Sequence, residues 1–525
     1  MFPTVPTMID LQNIPAPEPA DGSLCVLEGE RDLGFTIRRT YYIHGVQSDI
    51  SRGHHAHKSL RQCLVVLNGK LSLRLEGVSG TWSFVLDSPD RGLLVPPGYW
   101  RVIEGFKPET VLLAMVSQEY DESDYIRDYA EFQVWVARQR HGNTQPGEES
   151  HQPSVPIPYL DLSRRYSALA ESMDATAREI LSNAQYILGP NLALFEAEFA
   201  AYCKADYFVG TGNGLDALEL MLRASGVGAG DEVIICSHGF IATALAVLRS
   251  GAVPVFVDSL PDGNIDPAAI PAVVTRKSKA ILLTHLYGIP ADMDALLTVS
   301  ENNGLLLFED SCQAHGALYK GKPCGGLSHA AAFSFYPTKN LGGFGDGGGV
   351  CTNNAELAST LRALRNYGSS IKYYHEYAGS NSRLDELQAG FLRKLLPSLD
   401  QWNVKRRQLA QVYASILADC QGVRLAQPAE DLVPNWHIFP VFVADGRREA
   451  LAEMLKANGV GTAMHYPTPL HLQPCCASFG HAQGSFPVAE RVAQEELSLP
   501  LEPFMEEHQV TRIARLVTNF FTKTM

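Results

Sequence analysis

Ser334-Phe-Tyr-Pro-Thr-Lys-Asn-Leu-Gly-Gly343 closes an apolar run and opens a glycine-rich stretch that continues to Gly349. A lysine in such a turn, just past a strand, lies where open α/β sheets gather ligands, outside the carboxyl ends of their strands. Outward from it, Asp231-Glu-Val-Ile-Ile-Cys236, Val253-Pro-Val-Phe-Val257, Ala280-Ile-Leu-Leu-Thr284 and Leu305-Leu-Leu-Phe308 are short apolar runs of the buried parallel-strand type. Helical patterns such as Leu215–Arg223 lie between such runs, which predicts a doubly wound α/β domain. After Pro397 a smaller α+β region runs to the C-terminus.

Upstream the rhythm changes. Residues 140–158 hold Gly, Asn, Gln, Ser, His and several prolines with little apolar content, and read as a linker. From Ser23 to Ser117 the chain reads as short strands: Thr36–Ile43, Gln62–Leu67, Lys70–Leu75 and Val111–Val116, with turn signals at Asn68-Gly69 and Pro96-Pro97-Gly98. Leu71, Leu73 and Leu75 alternate with Ser72 and Arg74, as in a strand buried on one face. That pattern predicts an all-β barrel or sandwich.

The 525 residues leave room for two or three domains, and 46% hydrophobic with 19% charged residues is ordinary for globular protein. A formal charge of −14 argues against nucleic acid as a main partner, since phosphate binding needs clustered Lys and Arg. No run reaches the ~18 apolar residues of a membrane span, and residues 1–21 lack a basic segment followed by an apolar one. The ten cysteines form no C-x-x-C pair, so neither a disulfide framework nor a zinc site is expected. A cytoplasmic enzyme fits best.

Around Lys339 the sequence supplies what pyridoxal phosphate needs: a Schiff-base lysine, a carboxylate for the pyridinium nitrogen, a phosphate cup and a ring-stacking group. Asp310 would pair with the ring nitrogen, and Gln313 could hydrogen-bond the phenolic oxygen. Thr211-Gly212-Asn213-Gly214, ahead of a helical segment, offers backbone N–H groups to the phosphate, and Ser334 could add a hydroxyl. Phe240 sits in the right region to cover the ring. These stretches, together with Tyr186-Ile-Leu-Gly-Pro190, Gly239–Ala246, His285-Leu-Tyr-Gly288, Glu309–Gly316, Asn381–Ala389 and Met464–His471, resemble the DegT–StrS family of nucleotide-sugar aminotransferases from about Ile157 to the end. The resemblance implies a type I aminotransferase fold, Lys339 as the Schiff-base lysine, glutamate as amino donor, and Asn381 reaching the phosphate of a neighbouring subunit in a homodimer. Dehydratase members carry His in place of the lysine, so Lys339 favours transamination. Asn213 departs from the Thr or Ser of many members, and His437 receives no role.

In the β-rich half, His55-Ala-His57, Gln62 and Gly69 have the spacing H-x-H-x4-E-x6-G of cupin barrels, with Gln in the Glu position. A further histidine ligand is expected three residues past the Pro96-Pro97-Gly98 turn, where Arg101 stands. An amide and a cation thus replace two ligands, and arginine cannot serve as one. No metal is expected; the histidines, pointing to one face, are free to move protons. Arg52-Gly-His-His-Ala-His-Lys58, Leu93–Trp100 and Tyr120–Arg127 resemble the sugar 3,4-ketoisomerase (WxcM-like) family, cupins that shift the ketone of a nucleotide-linked 4-keto-6-deoxyglucose to C3 without metal. The resemblance places the base at His57 with His55 as its partner. Tyr42, on a preceding strand, is a plausible further proton carrier, and Arg101 could hold a diphosphate oxygen or polarise the enediolate.

The fold expected is therefore multidomain: a cupin barrel over residues 23–138, a linker over 139–156, and an aminotransferase over 157–525 with its large part ending near 397. The expected activity converts a dTDP-4-keto-6-deoxyglucose into the 3-keto sugar and aminates it to a dTDP-3-amino-3,6-dideoxyhexose. The alternative is a C4 aminotransferase with a non-catalytic, sugar-binding cupin.

Overall fold

The computed structural model describes residues 5–15, 23–77, 80–140 and 156–522, so most of the expected linker lies outside the described residues. The chain divides into two compact units between Ser150 and His151.

The first unit is built of strands β1 (Thr7–Asp10), β2 (Gln12–Pro15), β3 (Ser23–Val26), β4 (Arg39–His44), β5 (Arg52–His57), β6 (Gln62–Asn68), β7 (Leu71–Gly77), β8 (Gly80–Leu86), β9 (Arg91–Val95), β10 (Tyr99–Glu104), β11 (Val111–Val116) and β12 (Tyr125–Ile126), followed by helix α1 (Tyr129–Arg140). Two five-stranded sheets form, in the orders β1-β9-β6-β11-β4 and β12-β5-β10-β7-β8, with antiparallel pairings throughout. In β7 the alternation of Leu71, Leu73 and Leu75 buries those side chains while Arg74 stays exposed. They meet Leu64, Val66, Leu93, Val95 and Leu112 of the other sheet in one core. β1 pairs with β9 ahead of Ser23, where the sequence reading starts the barrel. A four-residue strand carries too little alternation to be read from pattern.

The second unit contains helices α2 (Ser163–Asn183), α3 (Pro190–Cys203), α4 (Gly214–Ala224), α5 (Ile241–Ser250), α6 (Met293–Asn303), α7 (Ala355–Leu364), α8 (Glu386–Leu395) and α9 (Leu399–Leu417). They accompany strands β13 (Tyr207–Thr211), β14 (Glu232–Cys236), β15 (Val253–Val257), β16 (Ser278–Thr284), β17 (Leu306–Asp310), β18 (Leu318–Tyr319), β19 (Lys322–Pro323), β20 (Ala330–Ser334) and β21 (Gly348–Thr352). The main sheet has seven strands in the order β13-β21-β20-β17-β16-β14-β15. β14, β15, β16, β17 and β20 run parallel, while β21 is antiparallel to both its neighbours. β17, β20 and much of β16 are buried, as expected of strands covered on both faces. β21 approaches the loop before α4 so closely that a Cβ on Gly348 would stand 2.4 Å from the Asn213 carbonyl, so only glycine fits there.

β22 (Val423–Leu425), β23 (Leu432–Val433), β24 (Phe439–Val443), β25 (Glu496–Leu499), α10 (Arg448–Ala457), α11 (Pro487–Glu495) and α12 (Glu507–Thr522) complete the C-terminal part. The antiparallel sheet β22-β24-β25 packs with α9, α10 and α12 around Tyr413, Phe439, Leu451 and Ile513. These elements lie in the stretch after Pro397, where the sequence reading expects a smaller α+β region. Among the described residues, no helix is long and apolar enough to cross a membrane.

Candidate active sites

In the first unit, β5 turns His55 and His57 to the same face, with their ring centroids 5.0 Å apart. Arg101 of β10 stands opposite His55 in the strand register. Gly53, at φ +92°, makes this possible: a Cβ there would stand 2.8 Å from the Arg101 carbonyl oxygen. His57 is 1% exposed, and its Nδ1 bonds the Asp124 carboxylate at 2.8 Å. Asp124 also accepts from the N–H and hydroxyl of Ser59, at 2.8 and 2.7 Å, and β12, just after it, pairs with β5. The aspartate therefore fixes the tautomer: Nδ1 carries the proton, and Nε2 holds the lone pair. His57 Nε2 and the Nε and Nη2 of Arg101 are buried without a hydrogen-bond partner among the described residues. His55 donates from Nδ1 to its own strand, at the Gly53 carbonyl, 2.6 Å away, and is only partly buried. The Tyr125 ring lies 4.2 Å from the His57 ring and 5.0 Å from that of His55.

The two positions that interrupt the cupin ligand set contact each other: the Arg101 guanidinium donates to the Gln62 side-chain oxygen, whose amide nitrogen donates to the Tyr41 hydroxyl at 3.1 Å. A buried guanidinium held by a glutamine opposes a divalent cation at that point, so this donor set does not fit one. Burial, reinforced by the Arg101 charge, pushes His57 down to about 2 and His55 down to about 4. Both rings are thus neutral near pH 7, rather than titrating there as their residue type suggests.

Tyr42 is a correction. In β4 the alternation turns Tyr41 inward, onto Gln62, and leaves Tyr42 66% exposed on the other face, beside His44. With two consecutive tyrosines, the sequence does not say which parity faces the barrel; the buried partner at Gln62 decides it. Asp124 and Tyr125, missed by the sequence reading, lie within the Tyr120–Arg127 stretch that carries the resemblance.

In the second unit the ends of β17 and β20 and the start of α4 converge. Asp310 is buried at the end of β17 and accepts from the Thr243 hydroxyl at 2.9 Å and the Cys312 N–H at 3.2 Å. Gln313 accepts the Tyr287 N–H at 2.6 Å and donates to the Tyr466 hydroxyl at 3.0 Å, which leaves one amide hydrogen for a further acceptor. Phe240, at the N-cap of α5, is half exposed, its ring 5.3 Å from Tyr466. Asn213 caps α4, its side chain accepting from the Asp216 N–H at 2.8 Å. Ser382 ties Gly212 into the same turn at 2.9 Å. A Cβ on Gly214 would meet the Ser334 Cβ at 2.7 Å, so Ser334 packs against the first turn of α4, where N–H groups lack intrahelical partners.

Lys339 sits in a braced loop. The Arg165 guanidinium donates to the carbonyls of Pro337, Gly342 and Lys339 at 2.8–2.9 Å. Asn340 donates to Asn403 at 2.9 Å and bonds His437 at 3.0 Å, which gives His437 a place in that brace. Burial lowers the Lys339 amine below the ordinary lysine value, against the opposing pull of Cys312 and Asp310 nearby. Asn381 is exposed in the segment that leads to α8.

The DegT/DnrJ/EryC1/StrS aminotransferase family matches residues 167–518, and the chain belongs to it. Residues 5–137 match the FdtA family model, described as WxcM-like, C-terminal, so a WxcM-like domain precedes the aminotransferase in one chain. The dTDP-3-amino-3,4,6-trideoxy-alpha-D-glucose transaminase of Streptomyces venezuelae is 49% identical over 358 residues, 68% of this chain and 94% of that protein. The dTDP-3-amino-3,6-dideoxy-alpha-D-galactopyranose transaminase of Aneurinibacillus thermoaerophilus is 42% identical over 365 residues, 69% of this chain and 99% of that protein. The crystal structure of S. venezuelae DesV in complex with a ketimine intermediate superposes with a TM-score of 0.68 at 48% identity, covering 70% of this chain and 99% of that one. The cofactor is pyridoxal phosphate. The residues present fit it: Asp310 is a buried carboxylate held by neutral donors, free to accept a pyridinium N–H beside a lysine whose amine burial has lowered.

Proposed function

We propose that the chain is a bifunctional nucleotide-sugar enzyme. Its first unit, a cupin barrel, converts dTDP-4-keto-6-deoxyglucose to the 3-keto sugar, and its second transfers the amino group of glutamate to C3. The observation that carries this reading is that His57 Nε2 and the Nε and Nη2 of Arg101, an acceptor and two cationic donors, are all buried without a partner among the described residues, with the Arg101 charge acting on the His57 ring. A ketone shift needs that combination. A base takes the proton from C3, the electrons form the C3–C4 double bond, and the oxygen at C4 becomes an enediolate that a guanidinium stabilises. The C3 hydroxyl then gives its proton to the oxygen at C4, the proton held by the base is returned at C4, and the ketone stands at C3. His57, oriented by Asp124, is the base; His55, more accessible, is the second proton carrier.

In the second unit the bound cofactor carries the amino group between donor and sugar. Asp310 would keep a proton on its ring nitrogen, Gln313 and Ser334 would offer their remaining hydrogens to its oxygens, Phe240 would cover its face, and the turn at Gly212 and Asn213 that leads into α4 would receive its phosphate. Lys339 would anchor it and move the proton at the substrate carbon. Asn381, exposed beside this loop, reaches the phosphate of a second subunit in a homodimer. Amination at C3 agrees with the names of the two relatives, both of which carry the amino group at that carbon.

The test is product analysis by mass spectrometry and NMR, with dTDP-4-keto-6-deoxyglucose, glutamate and pyridoxal phosphate. The intact chain should yield a 3-amino-3,6-dideoxyhexose nucleotide. His57→Asn should yield none until a separate active ketoisomerase of matching stereochemistry is added. A 4-amino product from the His57→Asn protein would replace this reading with C4 amination and a non-catalytic barrel.

A further inference from the structure

Behind the aminotransferase site, a buried carboxylate reaches an active-site histidine through one hydroxyl. The segment Ala463–Tyr466 is laced to β25 by an antiparallel bridge, with the Ser498 N–H donating to the Ala463 carbonyl at 2.8 Å. Tyr466 ends this segment on Gln313, facing Phe240, and Tyr287 donates to the His465 carbonyl at 2.7 Å. Inside the lacing, Glu496 accepts the His465 N–H at 2.6 Å with one oxygen and the Ser498 hydroxyl with the other. The Ser498 oxygen lies 2.7 Å from His465 Nδ1. Because the serine hydrogen is committed to the carboxylate, its oxygen can only accept, so Nδ1 must carry the ring proton. Nε2 is then the lone-pair nitrogen, in a ring close enough to Lys339 to feel its charge.

We propose that Glu496, acting through Ser498, is a positioning residue of the aminotransferase site: it fixes His465 as the Nδ1–H tautomer and so keeps an acceptor, not a donor, at Nε2. An amide at position 496 reverses the chain. Its oxygen keeps the His465 N–H, its NH2 donates to Ser498, the serine hydrogen turns to His465 Nδ1, and the ring proton moves to Nε2. Protonation of the carboxylate does the same. Burial pushes Glu496 up to about 7, against the bonds from Ser498 and His465 and the Arg448 charge on α10; the hydroxyls of Tyr159, Tyr287 and Tyr466 also bear on it. The wild-type relay therefore reverses as pH falls through about 7, and Glu496→Gln is reversed at every pH.

The proposal rests on the aminotransferase reading, and its first test does not use activity. Full-length holoenzyme labelled with nitrogen-15 histidine reports the His465 tautomer through its ring nitrogen shifts, assigned by their loss in His465→Gln. The wild type should show Nδ1–H above pH 7, changing over as the pH falls, and Glu496→Gln should show Nε2–H throughout. Ser498→Thr, which keeps the hydroxyl, should behave as wild type, and Ser498→Ala should lose the pH response. In amination assays Glu496→Gln should lose roughly tenfold or more in kcat with little change in sugar KM. An Nδ1–H ring in Glu496→Gln, or a pH response that survives in Ser498→Ala, overturns the proposal and leaves the aminotransferase reading standing. The expected tautomers without amination in the wild type would leave the relay intact and overturn that reading instead.

Discussion

Asp124→Asn separates orientation from packing in the barrel. The carboxylate accepts three hydrogen bonds, two from Ser59 on one oxygen and one from His57 Nδ1 on the other. Asparagine keeps the first oxygen for Ser59 and turns its NH2 toward His57, which must then accept at Nδ1 and carry its proton on Nε2. Every contact retains a partner, so the fold loses only the extra strength of charge-assisted bonds, about 1–2 kcal/mol. The proposed base, however, loses its lone pair at Nε2, the nitrogen buried without a partner among the described residues. A misplaced general base costs roughly 10²–10⁴ in rate, or about 2.7–5.5 kcal/mol at about 1.36 kcal/mol per tenfold. The assay is wash-in of deuterium at C3 of dTDP-4-keto-6-deoxyglucose in heavy water, followed by NMR, with circular dichroism to show an intact fold. Wash-in at the wild-type rate by a folded Asp124→Asn protein refutes the argument that Asp124 sets the working tautomer.

Two further outcomes follow from the same geometry. Lys339→Ala should abolish amination and the absorbance of the lysine-anchored cofactor while leaving C3 deuterium wash-in unchanged; amination at the normal rate would mean another amine does this work. Because burial holds His55 near 4 and His57 near 2, both rings stay neutral as pH falls, so the wash-in rate should remain flat through the ordinary histidine value of about 6.5 and decline only towards about 4. An inflection near 6.5 would show that the working histidine is more solvated than its burial indicates.

The residues proposed for the second site lie in short stretches at strand ends, which is what makes them readable in sequence. Asp310 and Gln313 follow one strand, Ser334 and Lys339 another, and the turn at Gly212 precedes one helix, so local motif and fold class together place them. What holds them in place is not local. Arg165 clamps the Lys339 loop from α2, more than 170 residues upstream, and Thr243 on α5 anchors Asp310 across 67 positions. No periodicity links such pairs. In the barrel, spacing identifies His55 and His57 as same-face neighbours, but the partner that sets the His57 tautomer arrives 67 residues later, after six further strands have returned the chain to β5. Tyr42 fails for a different reason: alternation tells that one of two adjacent tyrosines faces inward, and only the packed structure tells which.

The two units use one device with opposite exposure to pH. In each, a carboxylate fixes a histidine through Nδ1, directly from Asp124 in the barrel and through Ser498 from Glu496 in the aminotransferase. Asp124 receives three donors, among them a backbone N–H, and the ring it holds is itself held neutral by burial and by the Arg101 cation. Glu496 receives two, is enclosed more completely, and is held near 7 by that burial. A carboxyl whose folded value is raised keeps its proton more readily than in the unfolded chain, so acidification reaches Glu496 before it reaches either barrel histidine. The acid limb of the coupled reaction therefore belongs to the second step. On the proposed function, as the pH falls from above 7 the ketone shift should continue while amination slows, and the 3-keto sugar should accumulate.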